Sequence, residues 1–368
     1  MTKLQDLFND FGQSPWIDNI RRDWLNDGTL ADLVAQGVRG VTSNPSIFAK
    51  ALATSAAYDA FVANSTVSDP EALFEQLAVA DVRDACEVMG RVYESSVAEM
   101  ANGRRRYRDG FVSLEVSPRL AHDSKGTIAA AARLHDAVSR ENVMIKIPAT
   151  DEGLPAISET LSRGINVNVT LIFSIERYAQ VLDAWLEGLE RARQNGRDLS
   201  SIASVASFFV SRVDSAVDAQ LNEGDPRRGR SANAQVAAAY ELYQSRVSDE
   251  RVTSLLANGA QVQRPLWAST SVKNPDYDEL LYVNTIVADE SVNTMPDATL
   301  NATLDHADFS ASMLTQRTSL RSLARELDRL TPDVSLEGVT SKLEHDGVQA
   351  FVDAYEELLA TVAHKMRS

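Results

Sequence analysis

One cysteine, Cys86, is all that this 368-residue chain contains. A single thiol closes no intrachain disulfide and supplies no cysteine cluster for zinc. A reducing, cytoplasmic setting is therefore expected. Long apolar runs are missing too. No uninterrupted apolar stretch reaches the ~18 residues of a membrane span, so none is expected. The first segment, MTKLQDLFND, is charged and lacks the apolar centre of a secretory leader. Positive charge is scarce: 36 Lys and Arg stand against 52 Asp and Glu, for a net charge of −16. A phosphate backbone needs a basic face, so a nucleic-acid partner is not expected. Arg104, Arg105 and Arg106 form the only dense basic run, read as a solvated loop because Tyr107 alone is a poor stacking platform. No repeat of fixed period and no low-complexity tract occurs.

What is present is ordinary in bulk: 44% of residues are hydrophobic and 24% charged, as in a soluble protein with a substantial core. The pattern along the chain is more telling. Short apolar or alternating segments read as strands at 14–18, 38–43, 111–117 and 143–148. Four more follow at 166–173, 201–209, 264–270 and 281–287. Amphipathic helical patterns lie between most of them, as at 176–194 and 233–247. Cys86 itself sits in one, beside Leu73, Phe74, Leu77, Val82, Ala85 and Val88. Strands alternating with helices imply βαβ units and a parallel sheet. Eight strands imply one (β/α)₈ barrel, a TIM barrel, as a single domain over 1–368. Segment 221–233 reads as a loop within it, and residues from about 290 onward as mainly C-terminal helices packed on the barrel. The tail 340–366 reads as one helix, or two broken near Gly347.

A parallel barrel does its chemistry at the carboxyl ends of its strands. Polar groups interrupt or end the apolar strands at several places: Asp18, Thr42 and Asn44, Glu115, Lys146, then Asn168 and Thr170 on one face. Ser207 and Arg212 follow the sixth segment, Ser271 and Lys273 the seventh. Lys146 stands out, with Val143, Met144, Ile145 and Ile147 around it and only seven lysines in the chain. Each residue also has a plain structural reading. Lys146 could guard a sheet edge, and Glu115 could be merely its ion-pair partner. Asp18 could cap a helix near Ile20, Asn44 could make a turn before Pro45, and Arg212 could pair with Asp214. Taken together they suggest chemistry. A buried amine is disfavoured in its charged form and becomes a nucleophile for a carbonyl carbon. The resulting imine is an electron sink, so a neighbouring C–C bond can break. Two carboxylates, Asp18 and Glu115, can divide the proton transfers. Asn and Thr groups suit sugar hydroxyls, and Arg212 with Ser207, and Lys273 with Ser271, suit a phosphate.

GVTSNPSIF (40–48) and VMIKIPATDEGLPAI (143–157) resemble the two signature segments of transaldolases. GINVNVTLIFS (164–174), ASFFVSRVD (206–214) and, more loosely, STSVKNPDY (269–277) are also similar, in the same order. The form TSNPSIF and the length resemble the longer bacterial members. The resemblance implies a class I, metal-free and cofactor-free barrel enzyme of the pentose phosphate pathway. It would move a dihydroxyacetone unit between sugar phosphates. Donors would be sedoheptulose 7-phosphate and fructose 6-phosphate, and acceptors glyceraldehyde 3-phosphate and erythrose 4-phosphate. On this resemblance Lys146 is the Schiff-base lysine and Asp18 the general acid/base at the C4 hydroxyl. Glu115 works through a water beside Thr170. Thr42, Asn44 and Asn168 line the dihydroxyacetone site, and Ser207 and Arg212 contact substrate and phosphate. Two positions depart: Lys273 stands where many relatives have arginine, and Phe208 where several have proline. Three rivals are weighed beside this reading. An aldolase acting on free dihydroxyacetone tends to carry tyrosine where this chain has Phe209, whose ring has no phenol to protonate a carbanion. A pyridoxal phosphate enzyme would absorb near ~400 nm, its cofactor doing the hard chemistry. A non-catalytic sugar-phosphate-binding protein would bind without turnover. Each of these readings is compatible with a homo-oligomer.

Overall fold

The computed structural model describes residues 1–310, 312, 325–329 and 333–367. Its centre is a seven-stranded parallel sheet, ordered β1-β7-β6-β5-β4-β3-β2. The strands are β1 (Ser14–Ile17), β2 (Val112–Glu115), β3 (Val143–Pro148) and β4 (Val167–Ile172). Then come β5 (Ser204–Phe209), β6 (Gln263–Ala268) and β7 (Val292–Met295). Nearly every strand residue is buried, as expected where helices cover a parallel sheet. Val41 occupies the gap between β1 and β2 and bridges Ile17 and Val112. Ile17 N donates to Gly40 O at 3.0 Å, and Val41 N to Phe111 O at 2.9 Å, so hydrogen bonds run around the ring. The fold is a TIM-barrel-like α/β fold.

Two strand expectations need correction. Segment 38–43 contributes one bridging residue and no strand. Gly37 takes a left-handed φ of 119° on one side, and Pro45 starts a helix on the other. Gly40 between them lies so close to Trp16 that a Cβ would stand 2.3 Å from the indole. Segment 281–287 is not a strand at all: Leu281–Thr285 is a helix. Val283, Ile286 and Val287 are buried, and Tyr282 donates to Asp214 Oδ2 at 2.9 Å. The last strand is β7. Its Asn293 and Thr294 look polar in sequence but are buried, and Asn293 Oδ1 accepts from Thr270 at 2.9 Å.

The amino-terminal end of the barrel is plugged by charge. Asp109 is fully buried and accepts from Trp16 Nε1 at 2.9 Å and Arg39 Nε at 3.0 Å, and from Ser14. Arg264 Nη1 lies 3.6 Å away, its guanidinium stacked on Tyr107 at 3.8 Å. Burial alone would raise the Asp109 carboxyl. Arg264, Arg39 and the Ser14 and Trp16 donors outweigh it and hold the group below the usual carboxylate range. A depressed carboxyl stabilises the fold above its unfolded pKa and stops doing so as pH falls through the folded value. Asp109→Ala leaves the buried Arg264 and the partly buried Arg39 without their carboxylate. Urea titration at pH 7 is expected to show a loss of about 3–5 kcal/mol, shrinking toward acid pH. A loss below about 1 kcal/mol would mean that the arginines find other partners.

The terminal helix, Leu336–Lys365, starts at a Ser335 cap whose oxygen accepts from Gly338 N at 3.1 Å. It is one continuous helix through Gly347. That glycine serves close approach, since a Cβ there would stand 3.1 Å from Leu171. The helix packs on Pro45–Thr54 and Ser211–Asp218, two helices that begin at the carboxyl rim of the barrel. Among the described residues no helix is long and apolar enough to cross a membrane.

Candidate active site

Parallel register puts three polar side chains in one row. Glu115 on β2 pairs with Lys146 on β3, and Lys146 with Asn168 on β4. Because β3 lies between β2 and β4, Lys146 is no edge residue. Its side chain is 6% exposed, with Nζ 3.3 Å from Glu115 Oε2 and 3.2 Å from Ser43 O. Rigid strands thus hold the amine and the carboxylate in place.

Asp18 follows β1 and does not cap the next helix, Arg22–Asp27, which has no side-chain cap. It accepts instead from Thr42 Oγ1 at 2.6 Å, and Thr42 lies 2.6 Å from the Thr294 hydroxyl. Burial pushes the Asp18 carboxyl up, against the pull of Lys146 and Thr42, and Asp297 adds to the rise. Burial pushes Glu115 to about 7, opposed by Lys146 and reinforced by Asp18. Both carboxyls therefore hold protons more tightly than exposed ones, as acid–base groups must near neutral pH.

On β4, Asn168 Nδ2 donates to Ser113 Oγ at 3.0 Å, and its Oδ1 accepts from Ser207 Oγ at 2.7 Å. The register of β4 shifts between Val169 and Ile172, and Leu171 has a φ of 60°. Such a bulge re-aims neighbouring side chains, and left-handed non-glycine backbone collects at functional sites. Thr170 lies within it. Its buried hydroxyl has no hydrogen-bond partner among the described residues. Asn44 caps Pro45–Thr54, accepting from Ile47 N at 3.0 Å, so a structural role and a place on the cavity wall coexist.

A cavity of about 330 Å³ joins these groups to the cationic end. Asp18, Thr42, Asn44, Lys146 and Thr170 line it, with Ser207, Phe209, Arg212, Ser271 and Lys273. Asn168 and Glu115 stand behind that wall. Arg212 lies in the first turn of Ser211–Asp218, its guanidinium 5.6 Å from the Phe209 ring. It does not pair with Asp214, which accepts from Ala232 N and Tyr282. Lys273 Nζ donates to Ser271 Oγ at 2.7 Å. Among the described residues no carboxylate pairs with Arg212 or Lys273. Burial lowers both pKa values, and Arg212 lowers that of Lys273 further. Two cations with no counter-ion among the described residues, in a protein of net charge −16, make a local site for an anion. Among the described residues no cluster of His, Cys, Asp or Glu could hold a metal.

Sequence reasoning missed Lys50, Thr294 and Phe351, all on the cavity wall. Lys50 had one signal, the rarity of lysine in this chain. Thr294 was hidden in an unrecognised strand. Phe351 arrives from the far end of the chain, and no local pattern could announce it.

Comparison with known proteins adds an independent line. The profile of the family described as Transaldolase/Fructose-6-phosphate aldolase matches residues 15–362. A protein of Saccharopolyspora erythraea named transaldolase is 44% identical, over 98% of this chain and 97% of its own. One from Thermobifida fusca, also named transaldolase, is 48% identical over 99% and 98%. Another transaldolase, from Mycolicibacterium smegmatis, is 45% identical over 95% and 93%.

Proposed function

This chain belongs to the transaldolase/fructose-6-phosphate aldolase family and is an enzyme that transfers a three-carbon ketol unit; on that premise we propose that Lys146 carries the unit as an imine. The observation that carries the proposal is a buried amine, 3.3 Å from a carboxylate, at one end of a cavity whose other end holds Arg212 and Lys273. Substrates are sugar phosphates: sedoheptulose 7-phosphate or fructose 6-phosphate as donor, glyceraldehyde 3-phosphate or erythrose 4-phosphate as acceptor. The single, buried Cys86 suits a reducing cytoplasm.

The steps follow from the groups present. The Lys146 amine adds to C2 of the ketose, and the carbinolamine loses water to give the iminium. Glu115 supplies and recovers the protons of that step through a water, for which the Thr170 hydroxyl, unpartnered among the described residues, is a partner. Asp18 takes the C4 hydroxyl proton as C3–C4 breaks, and the electron pair moves into the iminium. The aldose phosphate leaves, and the acceptor aldehyde takes its place. C3 attacks the new aldehyde, Asp18 returns the proton, and water frees the product from Lys146. Thr42, Asn44 and Ser207 offer hydrogen bonds to hydroxyls, with Asn168 holding Ser207 from behind, while Arg212, Ser271 and Lys273 hold the phosphate. Phe209 has no hydroxyl to protonate C3, which favours transfer over release.

Borohydride reduction in the presence of fructose 6-phosphate, with peptide mass mapping, tests the proposal. A three-carbon adduct on Lys146, diminished by prior addition of erythrose 4-phosphate, is the expected result. A folded protein with no adduct there would sink the imine. The Glu115 value of about 7 gives a further expectation. The rate of adduct formation should change across pH ~6–8 and follow one ionisation near 7. Glu115→Gln should flatten that profile and slow the step by ~10²-fold. An unchanged profile would remove Glu115 from the proton path.

A further inference from the structure

The terminal helix brings an aromatic ring to the reacting nitrogen. The Phe351 ring centroid lies 5.3 Å from Lys146 Nζ. Phe351 is 7% exposed and shares an apolar cluster with Leu171, Phe173, Phe209 and Ala268. It lines the same cavity as Lys146. Its height is set by Gly347, one turn earlier, where a Cβ would come within 3.1 Å of Leu171 and 3.4 Å of Phe173. The helix is thus seated directly on the bulged part of β4. The ring comes from none of the strands that carry the reacting groups.

We propose that Phe351 is a positioning and shielding residue, covering the imine nitrogen while the dihydroxyacetone unit waits for its acceptor. The proposal rests on the imine reading above. A waiting intermediate can leak. C3 takes a proton, and water adds to C2. The C2–N bond then breaks, leaving the oxygen on free dihydroxyacetone and the protons on the amine. A ring over the nitrogen keeps water from that approach. Its π face also favours, by a cation–π contact, the positive iminium that forms before C3–C4 breaks. Phe209 withholds a proton donor from the intermediate, and Phe351 withholds water from C2. Together they keep the reaction on the side of transfer.

The test compares wild type with Phe351→Ala and Phe351→Leu. Free dihydroxyacetone and transferred ketol are measured from fructose 6-phosphate, with and without erythrose 4-phosphate. The ratio of release to transfer is expected to rise at least tenfold in Phe351→Ala and to return most of the way in Phe351→Leu, which restores an apolar cover. A merely structural role would lower both products together and leave the ratio alone. An unchanged ratio in Phe351→Ala, with the Lys146 adduct still trapped, would overturn the shielding role. If Phe351→Ala does not fold, Phe351→Gln, which keeps the bulk but puts a water-binding amide over the nitrogen, takes its place, and a ratio below twice wild type there, with the adduct trapped, would do the same. Absence of the adduct from wild type would overturn the imine itself, and the shield with it. The two failures are therefore distinguishable.

Discussion

Lys146→Arg is expected to fold and to lose ketol transfer by about four orders of magnitude or more. Arginine keeps the positive charge and the pairing with Glu115. Its guanidinium cannot be deprotonated in a protein, so it cannot attack a carbonyl carbon. The carboxylates, the hydroxyl contacts and the phosphate cations all remain. Without the covalent electron sink they have no means of accepting the C3–C4 electron pair. The fold is checked by circular dichroism, the loss by a coupled assay, and the mechanism by borohydride, which should leave no adduct on the variant. Lys146→Met is the complementary change. It removes the charge that opposes the upward shift of Glu115, so that carboxyl should keep its proton to still higher pH. Normal turnover by either variant would end the Schiff-base account.

Asp18→Asn should cut transfer by ~10²–10⁴-fold while leaving imine formation intact. Asparagine still offers an oxygen to Thr42 Oγ1, which donates to Asp18 at 2.6 Å, so the geometry is kept and only the base is lost. The adduct itself then reports the step. Wild type should yield a three-carbon adduct on Lys146 after borohydride. Asp18→Asn should yield an adduct of the intact ketose phosphate, because C3–C4 no longer breaks. A three-carbon adduct of wild-type yield from Asp18→Asn would assign the base to another group. The two substitutions thus separate nucleophile from base by mass as well as by rate.

The barrel was legible where strands were long and apolar. β3, β4 and β5 follow their sequence segments closely, because residues buried on both faces leave continuous apolar runs. Legibility failed where a strand is both short and half polar. β7 reads Val-Asn-Thr-Met, and its buried Asn293 carbonyl oxygen accepts from Thr270 while its Thr294 hydroxyl meets that of Thr42. It failed again at Leu281–Thr285, where β-branched residues fold as helix because their neighbours, not their propensities, decide. The same rule made the site partly readable. A polar side chain inside an apolar strand must have a partner, so Glu115, Lys146 and Asn168 drew attention one at a time.

The order of residues alone thus establishes the periodicity of the elements, the rarity of lysine and the identity of the polar interruptions. These are properties of short windows, and local chemistry carries them. The tertiary structure alone decided who meets whom. Register set Glu115, Lys146 and Asn168 side by side. Burial in that setting raised Asp18 and carried Glu115 to about 7. The terminal helix brought Phe351 over the amine. Proton affinity and shielding depend on everything within a few ångströms. In a closed barrel those neighbours come from every part of the chain.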